Sequence, residues 1–311
     1  MSKDVGFRPV ADGVPSPDAS GRPGGAGDWS RMVGRRLEEM GYSRLHFVAS
    51  GRIAGLYAAH APDGREVAIR VQSLPGFRYK RERHSIWNYL RLKLTPALMP
   101  RHPNLVRFRA SGVLRVGGAG LGRTTLYYLV MDYIEGRSLL HSLSAADFRA
   151  GGVARIRSTV IDVLGGWSTI HRHGLRHGDL SPQNIVVELG TFKAVLVDLR
   201  LSARLFRPLS GSPKFRATVR ALLTGSYQRP KEGFPPVMLG QAAQYWFPDG
   251  ADPGSLRDLG EWVAFEESLR DGGELSGSSP PRLLARAMEI AGRQARSCVP
   301  LVYLLAPALA T

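Results

Sequence analysis

The chain reads HGDLSPQNIVV at residues 177–187 and VLVDLR at residues 195–200. This stretch contains Asp179, an asparagine five positions later, Asn184, and a second aspartate, Asp198, after a short predicted strand. Phosphoryl transfer needs a carboxylate that orients the attacking hydroxyl and accepts its proton. It also needs oxygen ligands for the Mg²⁺ that bridges the nucleotide phosphates. Asp179 suits the first role, and Asn184 and Asp198 suit the second as metal ligands.

The composition is typical of a folded protein. The chain has 311 residues, of which 43% are hydrophobic, enough for one large domain or for two lobes with a core. Only 22% of the residues are charged, which argues against a disordered polyelectrolyte. The single cysteine, Cys298, excludes an internal disulfide framework and a cysteine-rich zinc site.

No apolar run predicts a membrane partner. The longest run, Cys298 to Ala310, is shorter than the roughly 20 residues that a membrane helix needs, and Pro300 and Pro307 interrupt it. The start of the chain has no apolar segment typical of a cleavable signal. We therefore expect a cytoplasmic protein, with secretion as an effector as the alternative.

The chain is strongly basic, with 42 Lys and Arg residues against 26 Asp and Glu residues and a formal net charge of +16. Such a balance attracts nucleic acid, anionic membranes or acidic partners. The arginines are scattered from Arg8 to Arg296 without a block of five or six, which favours solvated surface positions. No specific nucleic-acid partner is predicted.

Three segments divide the chain. Residues 1–28 are rich in Gly and Pro and are predicted to be a disordered tail. Residues 29–134 form a small lobe that begins with a helix from Asp28 to Met40, because its apolar residues recur at helical spacing. Residues 135–311 form a second, mainly helical lobe whose last part is divergent.

The small lobe is predicted to be a five-stranded, mostly antiparallel sheet. The residues from Ala61 to Gly64 are a strong hairpin turn signal between the second and third strands. A helix is predicted from Tyr79 to Leu94. The predicted strands are Leu45–Val48, Gly55–Ala59, Glu66–Val71, Leu105–Leu114 and Thr125–Asp132.

In the second lobe, apolar residues at helical spacing predict a helix from Val153 to Ile170 that ends near Gly174. Two short strands, Asn184–Glu188 and Ala194–Val197, follow it. Further helices are predicted at Leu256–Leu269 and Arg282–Arg296, whereas residues 209–254 carry no clear pattern.

The deciding stretch resembles the catalytic loop H-R-D-L-K-P-E-N and the D-F-G motif of the protein kinase superfamily, and of its serine/threonine kinases in particular. The resemblance covers residues 43–217 in family order and implies a bilobal α+β fold. Besides the deciding stretch, it rests on VAIR at 67–70 in place of V-A-I-K, HPNLV at 102–106, the hinge-like LVMDYIEGRSL at 129–139, and GSPKFRA at 211–217, which resembles the end of an activation segment.

The resemblance implies bound ATP with Mg²⁺ or Mn²⁺. It assigns Asp179, Asn184, Asp198, Arg70 and Glu82 to catalysis, with Asn184 and Asp198 as the metal ligands. The nucleotide would contact residues from several elements of the kinase pattern: Gly51, Gly55, Leu56, Ala68, Arg70, Met131 as gatekeeper, Asp132, Ile134 and Val186.

The sequence departs from the kinase pattern beside the nucleotide. Arg70 replaces the lysine that grips the phosphates, and a guanidinium is longer and bulkier than an ammonium. The three glycines of the phosphate-covering loop correspond to Ala49, Gly51 and Ala54, and the neighbouring Gly55 compensates for them only in part.

Other departures surround the catalytic loop. Gly178 replaces the arginine of H-R-D, and Ser181 replaces the lysine typical of serine/threonine kinases. Ala217, Thr218 and Val219 stand where A-P-E should close the activation segment, which removes a structural ion pair.

Glu82 is the candidate partner of Arg70 on the helix after the third strand, with Ile86 and Leu90 on its buried side. A loop insertion from Thr95 to Pro100 is needed to fit this alignment. The alternative is a solvated glutamate among neighbouring arginines.

Three functions compete. The first is an ATP- and Mg²⁺-dependent serine/threonine protein kinase, whose partner is a protein with an acceptor hydroxyl. The second is a catalytically impaired pseudokinase scaffold, which Arg70 and the poor glycine loop favour. The third is a small-molecule phosphotransferase on the same fold, which Gly178 and Ser181 favour. The sequence predicts no oligomeric state.

Overall fold

The computed structural model describes residues 26–50, 54–73, 93–116, 124–199, 212–230, 234–270 and 273–297. Almost all of the predicted tail, Gly51 and Glu82 lie outside these residues. The chain divides into two compact units, one of Met1–Leu98 with Phe108–Tyr133 and one of Met99–Arg107 with Ile134–Thr311.

The first unit is a five-stranded antiparallel sheet with a helix packed on one face. Helix α1 is Ala26–Glu39, and residues 93–98 are also helical (α2). The strand order is β1-β2-β3-β5-β4. The strands are β1 (Ser43–Ser50), β2 (Ala54–His60), β3 (Glu66–Ser73), β4 (Phe108–Val116) and β5 (Thr124–Asp132).

Strand β3 shows why this sheet forms. Successive side chains of a strand point to opposite faces, and Val67, Ile69 and Val71 are all buried. They share a core with Val33 and Leu37 of α1. The intervening residues of β3 therefore lie on the sheet face that points away from this core.

The hairpin between β2 and β3 has the predicted turn. Gly64 donates its N–H to the carbonyl of Ala61 at 2.8 Å. The carboxylate of Asp63 accepts the backbone N–H of Arg65 at 3.1 Å, a local contact that favours turns.

The fourth strand starts later than predicted, at Phe108 rather than at Leu105. Leu105 instead forms a parallel bridge with Leu196 of the second unit. Val106 donates its N–H to the carbonyl of Leu196 at 3.0 Å, and Leu196 donates to the carbonyl of Asn104 at 2.9 Å. These backbone groups are thus already paired and cannot extend the five-stranded sheet.

The loop predicted from Thr95 to Pro100 is also wrong in part, since the chain is helical over residues 93–98. Thr95 is buried within this helical segment, whereas Leu94 and Leu98 are exposed. Most of the helix predicted from Tyr79 to Leu94 lies outside the described residues.

The second unit is mainly helical and contains a small antiparallel sheet, β6-β7-β8. These strands are Gly136–Ser138, Ile185–Glu188 and Ala194–Leu196, and a short 3-10 helix, Pro182–Asn184, precedes β7. The helices are α3 (Leu139–Ser142), α4 (Ala146–Arg149), α5 (Gly152–Arg172), α6 (Pro213–Thr224), α7 (Leu239–Trp246), α8 (Pro253–Ser268) and α9 (Pro280–Ser297). The predicted α+β class, with an antiparallel-sheet lobe and a helical lobe, is confirmed.

The interpretation of residues 211–217 as the end of an activation segment stays a prediction, and the structure describes this stretch from Ser212 onward. Residues from Pro213 onward form the first turns of α6. The helix buries Phe215, Val219 and Leu222, and the ring of Phe215 packs against Trp167 of α5 with centroids 5.2 Å apart. Apolar side chains at helical spacing thus decide the structure here.

Within the described residues, none of the helices combines the length and the apolar character needed to cross a membrane.

Candidate catalytic loop and nucleotide-contact face

The structure brings Asp179 and Asn184 together in one tight loop of the second unit. The side-chain amide of Asn184 donates to the backbone carbonyl of Asp179 at 2.9 Å. Gly178 has a φ of +82°, a conformation that residues with a Cβ rarely adopt. Glycine at the position of the H-R-D arginine is therefore consistent with the shape of this loop.

The buried side chain of His177 holds the start of this loop in place. Its side chain is almost completely buried, and the backbone N–H of Asp179 points to the His177 Nδ1 at 3.4 Å. The side chain of Asp179 is part-exposed, so its carboxylate faces solvent. His177, two positions earlier, is fixed in the core.

Asp198 lies next to this loop along the backbone. Val197 donates its N–H to the carbonyl of Asn184 at 2.9 Å, directly after strand β8. Asp198 then adopts a φ of +53°, in the left-handed region that Asp tolerates better than most residues. Such backbone outliers cluster at functional sites, which supports the choice of Asp198 as a site residue.

The donor chemistry of these residues fits a hard cation. Mg²⁺ binds oxygen ligands, and Asp198 supplies a carboxylate. The amide nitrogen of Asn184 is occupied as a donor, which leaves its amide oxygen as the atom that would ligate. Asn184 and Asp198 could therefore hold Mg²⁺ or Mn²⁺.

Lys214 is a site residue that the sequence interpretation missed. It stands in the first turn of α6, and its ammonium forms an ion pair with the carboxylate of Asp179. The two residues are 35 positions apart, so no local pattern joins them. The only signal in the sequence was that Ser181 stands where serine/threonine kinases typically have a lysine, so that a cation near Asp179 would have to come from another part of the chain.

Tyr227 lies within the electrostatic field of the same pair. Burial raises the pKa of its phenol most, the negative charge of Asp179 raises the pKa further, and Lys214 and Arg229 lower it. Tyr227 therefore stays a neutral hydroxyl at ordinary pH.

Most of the described residues of the first unit that are predicted to contact the nucleotide share one face of the sheet. Directly opposite residues in an antiparallel ladder point to the same face. Arg70 lies between Leu56 on β2 and Leu129 on β5. Ala68 lies beside Met131 in the same way. This nucleotide-contact face, defined by Leu56, Ala68, Arg70 and Met131, is opposite the face that packs on α1.

Gly55 does not belong to that face. It pairs with Val71, whose side chain points into the core. A Cβ at Gly55 would approach the rings of Tyr57 and Phe47 at 3.3 and 3.4 Å. Ring packing therefore accounts for a glycine at this position without any phosphate.

The hinge residues occupy the end of β5. Asp132 lies opposite Val67, and its carboxylate is paired with Arg109, including a contact from Nη2 to Oδ2 of 2.9 Å. Ile134, two residues after Asp132, is the first residue of the longer segment of the second unit. The nucleotide contacts assigned to Asp132 and Ile134 stay predictions.

Val186 occupies the middle of the small sheet in the second unit. It pairs with Ser138 of β6 and with Val195 of β8. It is only part-buried, whereas its neighbours Ile185 and Val187 are buried. Val186, a predicted nucleotide contact, thus points to the less covered face of this sheet.

Sequence relatives of the chain are protein kinases. It is 30% identical to Calcium-dependent protein kinase 24 of Arabidopsis thaliana over 127 residues, which cover 38% of this chain and 20% of that protein. It is 25% identical to CBL-interacting protein kinase 19 of Oryza sativa subsp. japonica over 203 residues, which cover 65% of this chain and 35% of that protein. The chain thus spans between a fifth and about a third of these relatives. No protein-family model matches it.

Solved structures with the same architecture are kinase and pseudokinase domains. The pseudokinase domain of BIR2, an immune regulator of the RLK/Pelle family, matches with a TM-score of 0.56 and 17% identity, over 87% of this chain and 86% of that one. The kinase domain of maize sucrose-induced receptor kinase 1 bound to AMP-PNP matches with a TM-score of 0.53 and 16% identity, over 82% of this chain and 95% of that one.

At such identities the structural likeness establishes the fold alone, and it does not distinguish an active kinase from a pseudokinase. The sequence relatives agree with the fold. The chain has the fold of protein kinase domains, and its sequence is similar to those of serine/threonine protein kinases.

Proposed function

We propose that the protein is a phosphotransferase that uses ATP and Mg²⁺ or Mn²⁺, with the serine or threonine hydroxyl of another protein as acceptor. The observation that carries the proposal is the hydrogen bond from the Asn184 amide to the Asp179 carbonyl. It fixes the Asp179 backbone beside the Asn184 side chain, so that a part-exposed carboxylate and an amide oxygen belong to one ordered loop, which a scaffold that performs no chemistry does not need. The kinase relatives support the same activity class.

In the proposed reaction the acceptor oxygen forms a bond to the γ-phosphorus of ATP. The bond from that phosphorus to the β–γ bridging oxygen breaks, and its electron pair stays on ADP. Asp179 orients the acceptor hydroxyl and receives its proton. A metal ion held by Asn184 and Asp198 would neutralise charge on the nucleotide phosphates.

The nucleotide-contact face supports the ATP part of the proposal. Ala68 has a small side chain and lies beside Met131, so the sheet offers a flat apolar surface next to the end of β5. Arg70 adds a cation on the same face. The likeness to a kinase domain described as bound to AMP-PNP agrees with nucleotide binding.

A small-molecule acceptor is the second candidate, and one observation favours it. Only residues 199–212 separate Asp198 and α6, and α6 already contains Ala217, Thr218 and Val219, which stand where A-P-E was expected. A short connection leaves little chain with which to hold an extended peptide beside Asp179.

The test is transfer from radiolabelled ATP by the purified full chain with Mg²⁺, offered unmodified proteins and, separately, small hydroxyl compounds. Label on protein supports the first proposal, and label on a small molecule supports the second candidate. Label on neither would contradict both and favour a pseudokinase.

Asp179→Asn is the matched control for this assay. Because the amide cannot accept the hydroxyl proton, we expect turnover to fall by about 10²- to 10⁴-fold. Stabilisation of the fold by ATP and Mg²⁺ in a thermal melt should stay as in the wild type. Equal turnover in the Asp179→Asn variant and the wild type would show that another loop performs the transfer.

A further inference from the structure

The ion pair between Lys214 and Asp179 is open to solvent. Their side chains are 43% and 41% exposed. Exposed pairs contribute at most about 1 kcal/mol to stability. Fold stability therefore gives little reason to place an ammonium on this carboxylate.

The backbone that carries Lys214 is nevertheless firmly held. Its neighbour Phe215 is buried against Trp167 of α5. The hydroxyl of Thr218, one turn later, donates to the Lys214 carbonyl at 2.8 Å. A long flexible side chain thus starts from a fixed point beside Asp179.

The catalytic loop from His177 to Asn184, which the structure describes throughout, contains neither lysine nor arginine. Ser181 stands two positions after Asp179, is buried and carries no charge. An ammonium has three donor hydrogens and accepts none. A single carboxylate contact therefore leaves Lys214 with donors for a second anionic partner.

We propose that Lys214 is a catalytic residue whose ammonium contacts the phosphoryl group during its transfer. This proposal rests on the proposed function. The acceptor hydroxyl must lie against Asp179, and the γ-phosphorus must lie within bonding distance of that hydroxyl oxygen. An ammonium paired with the Asp179 carboxylate is thereby next to the phosphoryl oxygens, where negative charge is concentrated.

The proposed step needs no further reactant. The acceptor oxygen gains the bond to phosphorus, ADP leaves with the electron pair of the broken bond, and the hydroxyl proton passes to Asp179. Lys214 keeps its protons throughout and acts only through its charge and its hydrogen bonds. Its contribution is therefore to the rate of transfer more than to the binding of ATP.

The experiment compares Lys214→Met, Lys214→Arg and Lys193→Met with the wild-type full chain, using whichever acceptor the radiolabel assay identifies. Lys193 is the matched control because it pairs with Glu188 at 3.0 Å, is similarly exposed at 38%, and lies on the β7–β8 hairpin. Kinetics are measured against ATP, and melting temperatures are measured in parallel.

We expect Lys214→Met to lower kcat by about 10²-fold, as for loss of one charge-stabilising donor, with a KM for ATP within about threefold of the wild type. Lys214→Arg should restore at least about a tenth of the wild-type kcat, because the guanidinium keeps the charge. Lys193→Met should retain wild-type turnover, and all melting temperatures should agree closely.

An active wild type whose Lys214→Met variant turns over equally fast, or faster, overturns this proposal alone. The proposal is also overturned if Lys214→Arg loses as much kcat as Lys214→Met. It is likewise overturned if the melting temperature is lowered in Lys214→Met but not in Lys193→Met, because Lys214 would then have a structural role. A wild type that transfers no phosphate overturns the proposed function, and this proposal with it.

Discussion

In the first unit, Arg70 occupies a strand position of the kinase pattern but replaces the lysine of that pattern. In the second unit, the aspartate and asparagine of the pattern are retained, but the residues around them differ. On the nucleotide-contact face, Arg70 stands in register where the motif has lysine. In the catalytic loop, Asp179 and Asn184 are present and joined by a hydrogen bond. A helix that supplies Lys214 packs beside them.

The difference shows what each kind of structure preserves. In a sheet, the position of a side chain is set by register and by alternation of faces, so a residue can change while its place stays. In a loop, the atoms of the polar side chains hold the backbone themselves, as the Asn184 amide does. Changing such a residue would change the loop.

Two ion pairs, one in each unit, differ in how deeply they are buried. In the first, Arg109 and Asp132 form a part-exposed pair, with side chains 23% and 35% exposed. In the second, Arg220 of α6 contacts Glu266 of α8 at 3.1 Å, with side chains 12% and 0% exposed. Burial raises the pKa of Glu266 most, and the charge of Arg220 opposes that rise.

The largest expected effect is the loss of this buried pair. Arg220→Met leaves Glu266 buried without its partner, so we expect the free energy of unfolding to fall by about 3–5 kcal/mol. Arg109→Met, the matched change in the first unit, should cost no more than about 1 kcal/mol because water already solvates that pair. Urea unfolding of the full chain measures both.

A second variant separates the charge from the packing. Arg220→Met combined with Glu266→Leu removes both charges, and it should recover most of the stability lost in Arg220→Met alone. If Arg220→Met and Arg109→Met proved equally mild, the contrast between the two units would not extend to their stability.

The sequence predicts the elements whose signals are local. Alternating apolar residues define β3, and the turn after Ala61 defines its hairpin. The apolar stripe that predicts a helix at Val153–Ile170 is long and regular, and helix α5 is found at Gly152–Arg172. The order of Asp179, Asn184 and Asp198 predicts a catalytic loop within one stretch, and the hydrogen bond between Asn184 and Asp179 joins two of these residues.

Features made by distant residues could not be predicted in this way. Leu105 looks like part of a strand, but its bridge is to Leu196, far along the chain. The pair of Lys214 and Asp179 depends on how α6 packs, which residues 211–217 do not reveal by themselves. The buried pair of Arg220 and Glu266 depends on the same packing. Its existence shows that losing the A-P-E motif does not remove every ion pair near this helix.

A smaller effect is expected on the nucleotide-contact face. Arg70→Ala removes a cation from the face that carries Ala68 and Met131, so we expect kcat/KM for ATP to fall by about 10- to 150-fold, equal to about 1.5–3 kcal/mol for one charge-assisted contact. Arg70→Lys should not raise turnover, because we expect the site to be shaped for the larger guanidinium.

Arg115→Ala is the control for these two variants. Arg115 is exposed on the edge strand β4 and pairs with Thr125 of β5, away from Arg70. It should leave kcat/KM unchanged. A large gain of activity in Arg70→Lys would mean that the first unit has lost function, and the pseudokinase interpretation would then lead.

The smallest expected effect is a difference in how two aspartates, one in each unit, respond to pH. Asp162 of α5 accepts the N–H of Ala194 at 2.9 Å, and burial raises the pKa of its carboxyl above the ordinary 3.8. In the first unit, hydrogen bonds from Arg65 hold the pKa of exposed Asp63 below 3.8.

The two shifts have opposite consequences for stability. A raised folded-state pKa means that the folded chain binds more protons, so the contribution of Asp162 falls as the pH rises from 3.8 through its folded pKa. The contribution of Asp63 to stability is present above pH 3.8 and is lost as the pH falls through its lowered folded pKa.

Melting temperatures of the wild type, Asp162→Asn and Asp63→Asn between about pH 3 and pH 6 test these two expectations, since each asparagine keeps an acceptor oxygen without titrating. The melting temperature of the wild type minus that of Asp162→Asn should decrease with pH above 3.8, and the difference for Asp63→Asn should increase with pH below 3.8. If both differences changed with pH in the same direction, this would contradict the assignment of a desolvated carboxyl to α5 and of an arginine-bound carboxylate to the hairpin.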